Sequence, residues 1–183
     1  MISITLPAAI QADQFDDLLL DQTPMFDVRA PVEFNKGAFP SVLNLPLMND
    51  DERQKIGTCY KEQGQDAAIA MGHQLVNGVT KDERVQKWHT FAIQNPKAVL
   101  YCFRGGLRSK VSQQWLAEAG IATPYIEGGY KALRSHLIER LDQLVGSLPA
   151  FVLSGRTGTG KTEILPLFDR TVDLEGIAKH RGS

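Results

Sequence analysis

Short apolar runs recur along the chain, most of them followed by a loop and then by a stretch of helix formers. Residues 25–28 (Met-Phe-Asp-Val), 42–45, 98–101, 124–127 and 151–153 each read as a short strand. Helix-period segments fall at residues 14–20, with Phe15, Leu18 and Leu19 on one face, at 109–119, with Val111, Trp115 and Leu116, and at 130–144. Alternation of this kind predicts an α/β fold with a mainly parallel central sheet flanked by helices. Residues 48–95 interrupt it. Helix formers dominate there, and the stretch reads as two or three helices, the last at about 81–94 burying Val85, Trp88 and Phe91 or Ala92.

A length of 183 residues suffices for one domain and a remnant of another. No apolar run reaches the ~20 residues that span a bilayer. The first dozen residues carry neither a basic region nor a long apolar stretch, so no secretory signal is expected, and the expected location is the cytoplasm. A structural disulfide between the two cysteines, Cys59 and Cys102, is then not expected. The net charge of −1 hides an asymmetry. Residues 1–66 hold 11 acidic and 5 basic side chains, and residues 67–183 hold 10 acidic and 15 basic ones. The second part offers a phosphate-facing surface, or a mixed solvated one. Lys131, Arg134 and Arg140 on one predicted helix are candidates for phosphate contacts.

The chemistry concentrates at Cys102. A buried strand ends there, and Phe103, Arg104, Gly105, Gly106, Leu107 and Arg108 lead into a helix. Loop N–H groups and a helix N-terminus aimed at a sulfur favour its thiolate, and the two arginines add positive charge. The glycine pair lets the loop curl. This predicts a nucleophile in an anion-binding cradle, and it requires an ionised, solvent-reachable sulfur. No Cys/His cluster has metal-ligand spacing, so no metal is expected there.

A second motif follows the run at 151–153. Gly155-Arg156-Thr157-Gly158-Thr159-Gly160-Lys161-Thr162 matches the phosphate-binding pattern G-x-x-x-x-G-K-[ST] at every fixed position. Its backbone N–H groups would cradle phosphates, Lys161 would reach the terminal one, and the Thr162 hydroxyl would suit Mg²⁺, a role left open. Residues 171–175 read as the next strand, with Asp173 or Glu175 near a metal. Only 21 residues follow Thr162, too few for a P-loop domain that must bury its own sheet. The expectation is a fragment or a naturally shortened member, without nucleotide hydrolysis of its own.

Several segments together resemble rhodanese domains. Phe26-Asp27-Val28-Arg29, then Glu33-Phe34, then Gly37 through Asn44-Leu45-Pro46-Leu47 resemble the opening motif. The Cys102 loop resembles the active-site loop, and Glu127-Gly128-Gly129-Tyr130 the glycine pair after the last strand. The resemblance implies a rhodanese-like domain over residues 12–140 with a helical insertion at about 48–95, a cysteine that carries sulfur or selenium, and Asp27 and Arg29 as braces of the loop. One departure matters. The Cys-x5-Arg-Ser spacing is longer than in common sulfur-transfer rhodaneses and equals that of cysteine-dependent phosphatases, although Tyr101 stands where those carry histidine. A phosphatase, or a non-catalytic module binding anions or tRNA, remains the alternative.

A rhodanese domain joined to a P-loop segment, here the incomplete N-terminal part of a P-loop NTPase-like domain at 149–183, resembles the tRNA 2-selenouridine synthase family. Met71-Gly72-His73-Gln74-Leu75-Val76-Asn77-Gly78, the Cys102 loop, and residues 154–162 with Asp173-Leu174-Glu175-Gly176 carry that match. Family members continue well beyond position 183. The resemblance implies sulfur-to-selenium exchange at the wobble 2-thiouridine of tRNA through a geranylated intermediate. Selenophosphate and geranyl diphosphate would be substrates, tRNA the partner, and no cofactor tightly bound. Cys102 would carry selenium as a perselenide. Gly155, Gly158, Gly160, Lys161 and Thr162 would hold the diphosphate. Gly72 would pack near the cysteine loop, or simply mark a helix boundary. No membrane association and no particular oligomeric state follow from the residues. His73 and His89 read as structural or exposed rather than acid–base groups, and Cys59 as a bystander.

Overall fold

The computed structural model describes residues 5–147, 149 and 151–178. The chain divides into two compact units, one ending at Asp142 and the other beginning at Gln143.

In the first unit, helix α1 (Phe15–Leu20) precedes strand β1 (Met25–Asp27), short helix α2 (Pro31–Phe34) and strand β2 (Leu43–Asn44). Three helices follow: α3 (Asp50–Gln63), α4 (Gln65–Leu75) and α5 (Gly78–Gln94). Strand β3 (Val99–Tyr101), helix α6 (Leu107–Glu118) and helix α7 (Gly129–Val145), whose last three residues belong to the second unit, complete the order. The sheet is parallel in the order β2-β1-β3, with Phe26 opposite Leu43 and Leu100, and Asp27 opposite Asn44 and Tyr101. Single parallel bridges Leu100–Tyr125 and Ile10–Ile126 continue it beyond β3. The α/β class expected for this region, a parallel sheet flanked by helices, is the observed one.

Both faces of the sheet are covered, as parallel strands require. Side chains alternate between faces. Phe26, Val28, Leu100 and Cys102 join Trp88, Trp115 and Leu116 in one core beside α3 to α6. Met25, Val99 and Tyr101 join Phe15, Leu18, Ile126 and Leu133 in the other, beside α1 and α7. Trp88 is fully buried and donates its indole N–H to the Leu45 carbonyl at 2.8 Å. The insertion holds itself in place by polar contacts. Asn49 and Glu52 cap α3 reciprocally at 2.8 Å each. Arg84 of α5 then clamps Glu52 with hydrogen bonds of 2.9 and 2.8 Å.

Four local expectations change. The run at 124–127 supplies isolated bridges rather than a strand, because Pro124 lacks an N–H and Gly128 turns the chain at φ +71°. Helix α6 begins two residues earlier than read, so Arg108 and Ser109 sit in its first turn. Residues 151–153 do not form a strand. Phe151 and Val152 are 102% and 88% exposed, and no neighbouring backbone pairs with them among the described residues. At residues 171–175, a short helix α9 (Leu174–Ala178) forms instead of a strand. Asp173 favours it by accepting the Gly176 N–H at 2.9 Å. Helix α8 (Lys161–Ile164) starts directly after the Gly-rich loop. Residues 150 and 179–183 of the expected P-loop segment and the Glu175 side chain lie outside the described residues. No helix among the described residues is long and apolar enough to cross a membrane.

Candidate active site around Cys102

Strand β3 delivers Cys102 to the floor of a loop that a second loop clasps from behind. Gly105 has φ +61°, and a Cβ there would lie 2.5 Å from the Ile126 carbonyl oxygen and 2.6 Å from the Gly128 nitrogen. Gly129 has φ +58°, and its Cβ would fall on the Cys102 carbonyl oxygen and 2.6 Å from the Gly105 nitrogen. Only glycine permits both conformations and that approach. The first N–H groups of α7 then bond the cysteine loop directly. Tyr130 N–H donates to the Cys102 carbonyl at 2.9 Å, and Lys131 N–H to the Phe103 carbonyl at 3.0 Å.

Arg108 is the cation at the loop's end. Its guanidinium makes a two-pronged contact with Glu33, at 2.6 and 3.1 Å. Arg53 of α3 reaches the same carboxylate at 3.3 Å. Burial pushes the Glu33 carboxyl up, but the Arg108 hydrogen bonds and charge, with help from Arg53, overcome this and hold it below the usual glutamate range. Burial likewise works against the Arg108 charge, and Glu33, then the nearby Cys102 and Asp27, outweigh it and raise its affinity for the proton. Arg108 therefore stays charged beside the sulfur.

Asp27 and Arg29 are 0% and 1% exposed and lie on the other face of the sheet. Arg29 pairs with Asp27 at 2.6 Å, donates to the Gly37 carbonyl at 2.8 Å and stacks 4.0 Å over the Tyr130 ring. This pair grips the first turn of α7, which in turn grips the cysteine loop. Burial first, and the Asp27 charge second, push the Tyr101 phenol far above its ordinary value, so it stays neutral.

The loop's side chains divide. Phe103 and Leu107 face outward, at 37% and 48% exposure, and Phe103 stacks on Tyr130. Arg104 is exposed. Cys102 itself is only 3% exposed, which corrects the expectation of an open sulfur. Its side chain follows Leu100 onto the insertion-facing side of the sheet and packs into that core. Ser109 Oγ, buried in the first turn of α6, has no hydrogen-bond partner among the described residues.

Gly72 lies inside α4, three residues before its end, so it does not mark a helix boundary. It lines a cavity of about 850 Å³ together with Arg104, Gly106, Leu107 and Arg108. Gly72 and the cysteine loop thus line one cavity without touching, since a Cβ at Gly72 would meet only Ile56 Cδ1, at 3.7 Å. His73 is exposed and lies 6.2 Å from the Trp115 ring. Cys59 is buried on α3 and lines a different cavity. On α7, Arg140 pairs with Asp16 at 3.2 Å, while Lys131 and Arg134 are exposed.

In the second unit, Gly158 and Gly160 take φ +82° and +77°. Lys161 Nζ folds back on the loop and donates to the carbonyls of Gly155 and Arg156 at 2.8 and 3.1 Å. Thr162 occupies the first turn of α8. Glu33 is the site residue that sequence reasoning did not single out. Its signal was an acid in the rhodanese-like opening motif, with a charged loop arginine needing a partner.

Residues 148–183 match the family model described as the tRNA 2-selenouridine synthase AAA domain. Over 169 residues the chain is 61% identical to a tRNA 2-selenouridine synthase of Shewanella woodyi, a match covering 92% of this chain and 46% of that protein. It is 59% identical over 175 residues to one from Pseudomonas syringae pv. syringae, covering 96% and 48%. Over nearly its whole length the chain is similar to tRNA 2-selenouridine synthases. It spans about half the length of the curated relatives it matches. Among solved structures, a crystallised N-terminal domain of a Clostridium difficile 630 protein assigned to ATP/GTP binding superposes with a TM-score of 0.60 at 30% identity, over 71% of this chain and 98% of that one.

Proposed function

We propose that this chain carries the chalcogen-transfer part of a tRNA 2-selenouridine synthase, and that Cys102 is the residue that takes up selenium. The observation that carries the reading is the position of Cys102, at the end of a central strand, in a loop clasped by α7, with the charged Arg108 beside it. The names of relatives about 60% identical over most of the chain support the same reaction class.

In this reading selenophosphate supplies selenium: the Cys102 thiolate attacks it, the S–Se bond of a perselenide forms as the P–Se bond breaks, and phosphorus leaves with the bonding pair as phosphite. The anionic donor competes with Glu33 for the Arg108 guanidinium, and displacing that pair opens the way to a sulfur that is otherwise covered. The acceptor is the wobble 2-thiouridine of tRNA, activated as its S-geranyl derivative. Geranyl diphosphate places its diphosphate on the loop of Gly155, Gly158, Gly160, Lys161 and Thr162, the start of a P-loop NTPase-like domain at 149–183, with Mg²⁺ on Thr162. Exposed cations such as Lys131 and Arg134 hold tRNA phosphates. The work is done in the cytoplasm.

Exposure to selenophosphate followed by intact-mass measurement and location of the modified residue tests the central step. A single selenium adduct on Cys102, absent in Cys102→Ser, is the expected result. Release of phosphate from a monoester with no chalcogen on Cys102 would instead establish the phosphatase that the Cys-x5-Arg spacing allows.

A further inference from the structure

Phe103 is the cysteine loop's one aromatic side chain, and neither selenium uptake nor anion binding calls on it. As chain neighbours, Phe103 and Cys102 have Cα atoms about 3.8 Å apart, yet their side chains part. The sulfur turns into the core under the insertion, and the ring turns outward. The ring is held all the same. It lies on Tyr130 with centroids 6.2 Å apart and planes inclined by 27°, an offset stack. Tyr130 is itself fixed by the Arg29 guanidinium, 4.0 Å over its ring, and by Phe39 at 5.1 Å. The Phe103 carbonyl accepts the Lys131 N–H at 3.0 Å. Arg104 is exposed and carries its guanidinium 5.9 Å from the Phe103 centroid. Arg108 is committed to Glu33, whereas Arg104 has no carboxylate partner among the described residues.

A fixed, exposed ring with an uncommitted guanidinium at its side suits a flat partner that bears negative charge. A compact anion would use Arg104 and leave Phe103 idle. A nucleobase of single-stranded RNA uses both. Its π-face stacks on the ring and on the guanidinium plane, and its phosphate pairs with the charge. Bases in an RNA loop can splay out of their own stack to reach such a surface. We propose that Phe103 and Arg104 form the platform on which the wobble 2-thiouracil base lies during the exchange, with C2 of the base turned toward Cys102. Phe103 then orients the acceptor base and takes no part in loading selenium. The inference deepens the proposed function and rests on it for the identity of the base.

Fluorescence-anisotropy titration of the full chain with two labelled anticodon stem-loop RNAs tests this. One carries 2-thiouridine at the wobble position, and the other carries dihydrouridine, whose puckered ring stacks poorly. The unsubstituted chain is expected to favour the thiouridine RNA at least about fivefold. Phe103→Leu keeps an apolar side chain without a π-face, and it is expected to bind both RNAs alike while its thermal melt stays unchanged. Phe103→Tyr restores the preference. A purely structural role for the ring would not couple it to the planarity of one base. Phe103→Trp adds a spectroscopic readout. Its indole is quenched by the thiocarbonyl when the thiouridine RNA is added, beyond any change from Trp88 and Trp115, which are buried. Equal affinity for the two RNAs in the unsubstituted chain, binding of neither, or a preference that survives in Phe103→Leu overturns the proposal. Should Phe103→Leu unfold, the indole decides: quenching supports the platform, and its absence overturns it. Selenium loading of Cys102 from selenophosphate needs no RNA and is read in parallel on the unsubstituted chain. Failure of that loading defeats the proposed function, whereas failure of the RNA preference defeats the platform alone.

Discussion

Substitution of Gly129 by alanine separates two kinds of cost that a positive-φ glycine carries. The left-handed conformation costs a non-glycine residue roughly 1–2 kcal/mol. The new Cβ also collides with the Cys102 carbonyl and lies 2.6 Å from the Gly105 nitrogen. The two loops must separate, which breaks the bonds from Tyr130 N–H and Lys131 N–H to the cysteine loop, each worth about 1 kcal/mol. Restricting the unfolded chain returns about 0.4–1 kcal/mol. The net loss is about 3 kcal/mol, or a fall in Tm of roughly 10 °C for a unit of this size. Gly120→Ala is the control. It also has positive φ, +92°, but nothing lies within 4 Å of its Cβ, so it loses only about 1 kcal/mol, or about 3–4 °C. Thermal melts by circular dichroism measure both. Gly129→Ala should also lose selenium loading of Cys102 at temperatures where it is still folded, and Gly120→Ala should keep it. Equal Tm shifts in the two variants, or full loading in Gly129→Ala, would refute the clasp as the element that shapes the site.

Glu33, held below the usual glutamate range by Arg108, contributes stability that is complete above that range and fades as pH falls through its lowered value. Glu33→Gln should therefore be less stable than the parent at neutral pH by about 1–3 kcal/mol and lose stability less steeply below about pH 5, as followed by urea titrations at several pH values. A parallel slope for both proteins would show that the Arg108 pair does not set the acid limb. Lys161→Ala should weaken geranyl diphosphate binding at least tenfold by direct titration, and an unchanged Kd would remove the Gly-rich loop from the chemistry.

What the chain discloses in one dimension is what local geometry governs. Val99 to Arg108 announces strand, cysteine, glycine turn and helix because each residue type is used within a few positions of its neighbours. The fixed positions of the Gly-rich loop are legible for the same reason. Glu33 is not, because its partner Arg108 stands 75 residues away and the carboxylate competes with every other acid in the sequence for that role. The burial of Cys102 is also non-local. It follows from the insertion helices packing over that face of the sheet, and nothing near position 102 records them. Residues 151–153 carry strand composition without a strand because a ladder needs a second backbone. Asp173 was read as strand-borne, yet its carboxylate is better used capping α9.

Helix α7 begins at the glycine whose neighbours are the cysteine loop's own backbone atoms, and it continues for 17 residues without a break, a rod of about 25 Å. Its base is held from the opposite side by Arg29, stacked on Tyr130. Such a rod cannot pivot without dragging its anchorage. Whatever engages the exposed face of this helix within the first unit therefore holds a mechanical handle on the nucleophile.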